Sequence, residues 1–198
     1  MLEQSGEDRS RRESSVAAFF RGFLRSPEQV GSVIPSSRFL EQRLVRTAGV
    51  SRADCVVELG PGTGGTTRAL LAEMSDDATL LTIELDPRFT ELLADIDDPR
   101  LIAHTGSAAD LGSILDLHQL PAPDAVVSGI PFSTMPREIG NAVLEAIRDR
   151  LAPGGVFVAY QFRGHVGRMG EPVLGKPDVE LEALNVPPMR FFRWVKRG

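Results

Sequence analysis

Apolar positions along the chain fall into two rhythms, and the switch between them outlines the elements. Val16, Phe19, Phe20, Phe23 and Leu24 recur at three and four, with Arg21 and Arg25 on the other side, predicting a short amphipathic helix over about 16–25. Residues 1–13 hold hardly an apolar side chain and are expected to form a disordered tail. Pro27, Gly31 and Pro35 break the next stretch, and Ser36 with Ser37 can cap a helix running through about Thr47.

Beyond that point apolar runs and helical periods alternate. Strands are predicted at Cys55 to Leu59, Thr79 to Glu84, Leu101 to Thr105, Ala125 to Ser128 and Val156 to Gln161. Between them lie helical segments at Thr66 to Met74, from Asp86 with Pro87 at its first position, around Leu111 to Leu117, and at Arg137 to Arg150. After Gly164 the pattern becomes a Gly- and Pro-punctuated stretch, followed by two strand-like runs, Val179 to Leu184 and Arg190 to Val195. Such alternation predicts an α/β, Rossmann-like fold: a mostly parallel seven-stranded sheet, helices on both faces and a closing antiparallel hairpin. Residues 14–198 then form one domain.

Composition changes this picture little. At 198 residues, 42% hydrophobic and 25% charged with mean hydropathy -0.06, the chain suits one globular domain. A net charge of -5 opposes wrapping by nucleic acid unless a local basic patch holds it. The single cysteine, Cys55, rules out an internal disulfide and fits a reducing, cytoplasmic compartment. No run approaches the roughly 18 apolar residues of a membrane span, and the polar N-terminus is unlike an export signal.

The strongest chemical signal is Val56-Val57-Glu58-Leu59-Gly60-Pro61-Gly62-Thr63-Gly64-Gly65, a buried strand entering a glycine turn that opens a helix. Glycines permit a backbone that other residues avoid and let a ligand approach the main chain, while the helix N-terminus favours an anion. Glu84 ends the next strand, about twenty residues on, where a carboxylate can accept both hydroxyls of a ribose. A nucleoside-bearing cofactor follows. Gly60, Gly62 and Gly65 also satisfy the dinucleotide spacing of an oxidoreductase. Glu58, two residues before Gly60, suits an amino-acid ammonium instead, because a pyrophosphate gains nothing from a neighbouring carboxylate.

Together with Gly31-Ser32-Val33-Ile34-Pro35-Ser36-Ser37, Ile83-Glu84-Leu85-Asp86, Ser128-Gly129-Ile130-Pro131-Phe132 and Val186-Pro187-Pro188, these residues resemble class I S-adenosylmethionine-dependent methyltransferases. More narrowly they resemble bacterial phosphatidylethanolamine N-methyltransferases and, more distantly, ribosomal RNA adenine dimethyltransferases. The resemblance implies that Glu58, Gly60 and Gly62 lie along the methionine part of the cofactor, Glu84 at its ribose and Ser107, Ala108 and Ala109 at its adenine edge, with Gly64 and Leu85 also at the cofactor. Ser36 would belong to a loop closing over it, with Ser128 beside both cofactor and substrate. In amine methyltransferases the loop after the fourth strand carries a side-chain amide at the position of Gly129. Here the main-chain carbonyls, Ser128, Pro131 and the π face of Phe132 are left to hold an amine.

Tyr160 and His165 are candidate bases, and His104 and His118 lack carboxylate or cysteine partners at metal-ligand spacing, so no metal site is expected. The implied activity is methylation of the amine headgroup of phosphatidylethanolamine or its partly methylated derivatives, by an enzyme peripheral to the inner face of the membrane. Two segments suit an anionic bilayer: helix 16–25, and the basic and aromatic end Arg190 to Arg197. An RNA adenine or another small amine remains as alternative substrate, and a non-catalytic cofactor-binding membrane module as a further alternative. RNA is disfavoured by the acidic net charge and by the lack of a counterpart, after Val195, to the extra RNA-binding domain of the dimethyltransferases.

Overall fold

The computed structural model describes residues 38–183 and 188–198. The expected tail 1–13, the amphipathic helix 16–25 and Ser36 lie outside the described residues.

The elements, in order, are α1 (Arg38–Ala48), β1 (Cys55–Leu59), α2 (Gly65–Glu73), β2 (Thr79–Glu84), α3 (Pro87–Ala94), β3 (Leu101–Thr105), α4 (Leu111–Leu117), β4 (Ala125–Ser128), α5 (Arg137–Arg150), β5 (Val156–Gln161), α6 (His165–Leu174), β6 (Asp178–Glu182) and β7 (Met189–Val195). Short 3-10 turns at Val50–Arg52 and Ala108–Asp110 precede β1 and α4. The strands form one seven-stranded sheet in the order β3-β2-β1-β4-β5-β7-β6. The first five are parallel, and β7 runs antiparallel to both β5 and β6. This is the expected architecture, with the closing hairpin folded back so that its second strand lies inside the sheet.

Every residue of β1 and β4 is buried, as strands covered by helices on both faces require. Apolar side chains drive the association: Leu44, Val56, Leu59, Leu80, Val126, Leu144 and Phe157 are fully enclosed. Asp86 caps α3 by accepting from the Arg88 N–H at 2.9 Å, with Pro87 at the first helical position.

Two departures from the sequence pattern have physical causes. Helix α6 was hidden by Gly167, Gly170 and Pro172, which lower helix propensity. A Cβ on Gly167 would come 2.7 Å from the Phe192 ring, and one on Gly170 2.7 Å from the Trp194 ring. The glycines therefore let α6 press onto β7, and packing overrides propensity. The second departure concerns the C-terminal end as a bilayer surface. Phe191, Phe192 and Trp194 are buried, and Trp194 stacks on Phe157 at 5.1 Å. Arg193 donates to the Thr47 carbonyl and Lys196 to the Leu151 carbonyl. These aromatics are core and these two cations are tethers, so this end is not an interfacial patch.

Candidate active site

Strand order reverses between β1 and β4, and the carboxyl ends of the parallel strands open there into the crevice where α/β sheets bind ligands. Backbone bonds lock the exits together: Gly60 N–H donates to the Ile83 carbonyl at 3.0 Å, Gly106 N–H to Glu84 at 2.8 Å and Gly129 N–H to Leu59 at 2.9 Å. The loops after β1, β2, β3 and β4 thus form one continuous rim.

Gly60 and Gly62 have φ of 72° and 56°, the left-handed region that glycine enters without penalty. A Cβ on Gly60 would meet Ile130 Cγ1 at 3.1 Å, whereas one on Gly62 would meet nothing within 4 Å. Gly62 therefore borders open space, while Gly60 seals the loop against the one after β4. Gly64 caps α2, and its Cβ position faces Leu93 and Ile96. Its glycine serves helix packing.

Glu84 grips the glycine loop from β2. Oε2 accepts from Gly62 N–H at 3.1 Å, and Oε1 from the N–H groups of Leu85 at 2.8 Å and Asp86 at 3.2 Å. Burial holds its pKa above the ordinary value despite those three donors. Ser107 accepts from Ala109 N–H at 3.2 Å, and Ala108 lies buried beside it.

Glu58 is 1% exposed. Oε2 accepts from Thr67 Oγ1 at 2.7 Å, and Oε1 has no hydrogen-bond partner. Burial first, and the nearby Glu84 charge, push its pKa up to about 8, against the lowering effect of Thr67. An orphaned buried acceptor of this kind is costly unless a donor arrives.

In the loop after β4, Ser128 is buried and its hydroxyl accepts from Ile130 N–H at 3.3 Å. It braces the turn from beneath. The Phe132 ring is fully buried. Tyr160 Oη lies 3.3 Å from Thr66 Oγ1, and its ring stacks on Phe191 at 6.3 Å. Burial, then Glu58, pushes the phenol up to about 12, so at neutral pH Tyr160 is a hydroxyl and not a base. His165 starts α6. His104 Nδ1 and His118 Nε2 meet at 3.1 Å, yet among the described residues no group of three or more His, Cys, Asp or Glu could hold a metal ion.

Sequence reasoning missed Thr66, Thr67 and Gln161. Thr67 follows the glycine turn and points back to Glu58, but its register is visible only once α2 is placed. Gln161 Nε2 donates to the Ile130 carbonyl across 31 residues of chain, a contact with no local signal.

A family profile described as ribosomal RNA adenine dimethylase matches residues 27–103. An ornithine lipid N-methyltransferase from Singulisphaera acidiphila is 31% identical over 141 residues, 70% of this chain and 73% of that protein. The chain belongs to the class I S-adenosylmethionine-dependent methyltransferases. Ribosomal RNA small subunit methyltransferase A from Maricaulis maris is 35% identical over 97 residues, 48% of this chain and 32% of that protein. Its Rhizobium etli counterpart is 28% identical over 165 residues, 77% of this chain and 58% of that protein. The chain thus spans about a third to somewhat over half the length of these two ribosomal RNA methyltransferases.

Solved structures share the fold. The N-methyltransferase NodS from Bradyrhizobium japonicum, in complex with S-adenosyl-l-homocysteine, matches with TM-score 0.68 at 12% identity, covering 89% of this chain and 98% of that one. The O-methyltransferase TomG from Streptomyces achromogenes, in complex with SAM, gives 0.68 at 18%, covering 91% and 90%. The methyltransferase uses S-adenosylmethionine as cofactor. Its rim suits that group: Glu58 Oε1 is an unpaired buried acceptor for an ammonium, Gly62 borders open space, and the Glu84 carboxylate keeps lone-pair capacity.

Proposed function

We propose that this enzyme methylates the amine headgroup of a phospholipid, phosphatidylethanolamine or its partly methylated derivatives, at an anionic membrane surface. The observation that carries the proposal is the likeness, over most of both chains, to an ornithine lipid N-methyltransferase. Among the described residues no helix is long and apolar enough to cross a membrane, so a lipid substrate would be met at the bilayer surface. Segment 16–25 is the proposed contact with that surface.

In this reading Glu58, Gly60 and Gly62 hold the methionine part of the cofactor, Glu84 and Leu85 its ribose, and Ser107 and Ala108 its adenine. When bound, the cofactor supplies a methyl group on a positively charged sulfur. The protein's work is positioning: the amine lone pair must lie in line with the sulfur–methyl bond at near contact, and orientation alone can supply much of the rate. A headgroup ammonium has a pKa near that of Lys, about 10, so roughly one in a thousand is neutral at pH 7 in water. Burial beside a cationic sulfur lowers that pKa and raises the reactive fraction.

The ribosomal RNA adenine reading draws on the matched family profile and on the relatives named for that activity. One assay separates the two. The protein is incubated with methyl-labelled S-adenosylmethionine and vesicles of phosphatidylethanolamine with anionic lipid, with parallel arms of ornithine lipid and of unmodified small-subunit RNA. Label in mono-, di- or trimethylated headgroups is the expected result. Label in RNA or ornithine lipid, with none in phosphatidylethanolamine, overturns the proposal.

A further inference from the structure

Gly129 leaves a side-chain position empty, and the structure fills it from another strand. A Cβ built on Gly129 would lie 2.6 Å from Tyr160 Oη, 3.2 Å from Tyr160 Cζ and 3.0 Å from the Gly60 carbonyl oxygen. Even alanine cannot enter without displacing the tyrosine hydroxyl or the glycine loop. The hydroxyl therefore stands at the seam between the loop after β1 and the loop after β4. In its 3.3 Å contact with Thr66 Oγ1 either hydroxyl can donate, and when Tyr160 donates its own proton to Thr66 its oxygen is left free to accept.

The carbonyls of the same loop divide sharply. That of Ile130 accepts from Gln161 Nε2 and from Phe132 N–H at 3.0 Å. That of Pro131 accepts from Thr134 N–H and Thr134 Oγ1, both at 3.1 Å. No described residue donates to the carbonyl of Gly129.

We propose that the Gly129 carbonyl and the Tyr160 hydroxyl together orient the substrate amine, Tyr160 occupying the space a residue-129 side chain would need. The inference rests on the reading of the enzyme as a lipid amine N-methyltransferase. A neutral primary amine has one lone pair and two N–H groups. The lone pair forms the new N–C bond as the C–S bond of the cofactor breaks, its electron pair staying on sulfur, and one proton then leaves the alkylated nitrogen to water. The two N–H groups are what two acceptors can hold. A neutral tertiary amine has no N–H, so the hydroxyl has nothing to hold at the last transfer. Tyr160 is thereby a determinant of the first methylation and not of the third.

Tyr160→Phe keeps the ring and removes the hydroxyl. Label transfer is compared on vesicles of phosphatidylethanolamine and of its N,N-dimethyl derivative at equal anionic lipid content, with cofactor Kd and melting temperature measured alongside. The expected result is a kcat lower by about tenfold or more on phosphatidylethanolamine, the scale of a lost hydrogen bond to a polar group. Activity on the dimethyl lipid and cofactor Kd stay within about twofold of wild type, since no bond to either is lost. If Tyr160→Phe proves unstable, replacing the chain's one tyrosine by fluorotyrosine, which keeps the ring and weakens the oxygen as an acceptor, should lower the rate on phosphatidylethanolamine and spare the dimethyl lipid. An equal fall on both lipids marks a structural role and overturns the inference, as does an unchanged rate on phosphatidylethanolamine. Wild-type enzyme that methylates neither lipid overturns the proposed function instead.

Discussion

Glu58 predicts a proton count. In the cofactor-free protein its carboxyl is enclosed, one oxygen lacks a partner and its pKa is about 8. At pH 7 it is therefore about 90% protonated. If it receives the cofactor's ammonium, it must ionise, and binding releases about 0.8 of a proton once the small uptake by the ligand amine is allowed for. Calorimetric titration of S-adenosylmethionine at pH 7 in buffers of different ionisation enthalpy measures this directly. Glu58→Gln should abolish the release and weaken binding. Release below about 0.2 in wild type, or equal release in the variant, would refute the ammonium assignment.

The same group links stability to pH in a stated direction. Its folded pKa lies above the unfolded value of 4.5, so its contribution is full below about 4.5 and is lost as pH rises through about 8. At pH 7 the cost of folding with this proton taken up is about 3 kcal/mol. Urea unfolding of the cofactor-free protein should show that decline between pH 5 and 8, and Glu58→Gln should flatten it.

Glu84→Ala removes both a proposed ribose acceptor and the 3.1 Å bond to Gly62, and cofactor Kd should rise about 10- to 100-fold by equilibrium binding; unchanged affinity would exclude the ribose role. Gly170→Ala places a methyl 2.7 Å from Trp194 and should cost about 1–3 kcal/mol of overpacking, partly offset by better helix propensity, as read by denaturant midpoint. A stability gain there would show that α6 sits less tightly on β7 than described.

Local signals fixed much of this protein. The period of apolar residues marked the first five strands and the helices between them, because burial on a sheet or a helix face imposes a repeat of two or 3.6 wherever the element lies. The glycine turn after β1 was legible because only glycine takes a φ of 72° or 56° without penalty, and Glu84 because the end of the next parallel strand must lie beside it. The residues proposed to hold the cofactor were thus marked by local pattern. The packing around the proposed substrate loop was not. Tyr160 meets Thr66 across 94 residues and fills the side-chain space of Gly129 only after β5 has docked beside β4. Likewise, an apolar run at the C-terminus announces a strand, but not that it will slip between β5 and β6 and bury Phe191, Phe192 and Trp194. Sequence pattern says that a face must be covered; only the closed chain decides by what, because neighbours in a sheet are chosen by packing among elements distant in sequence.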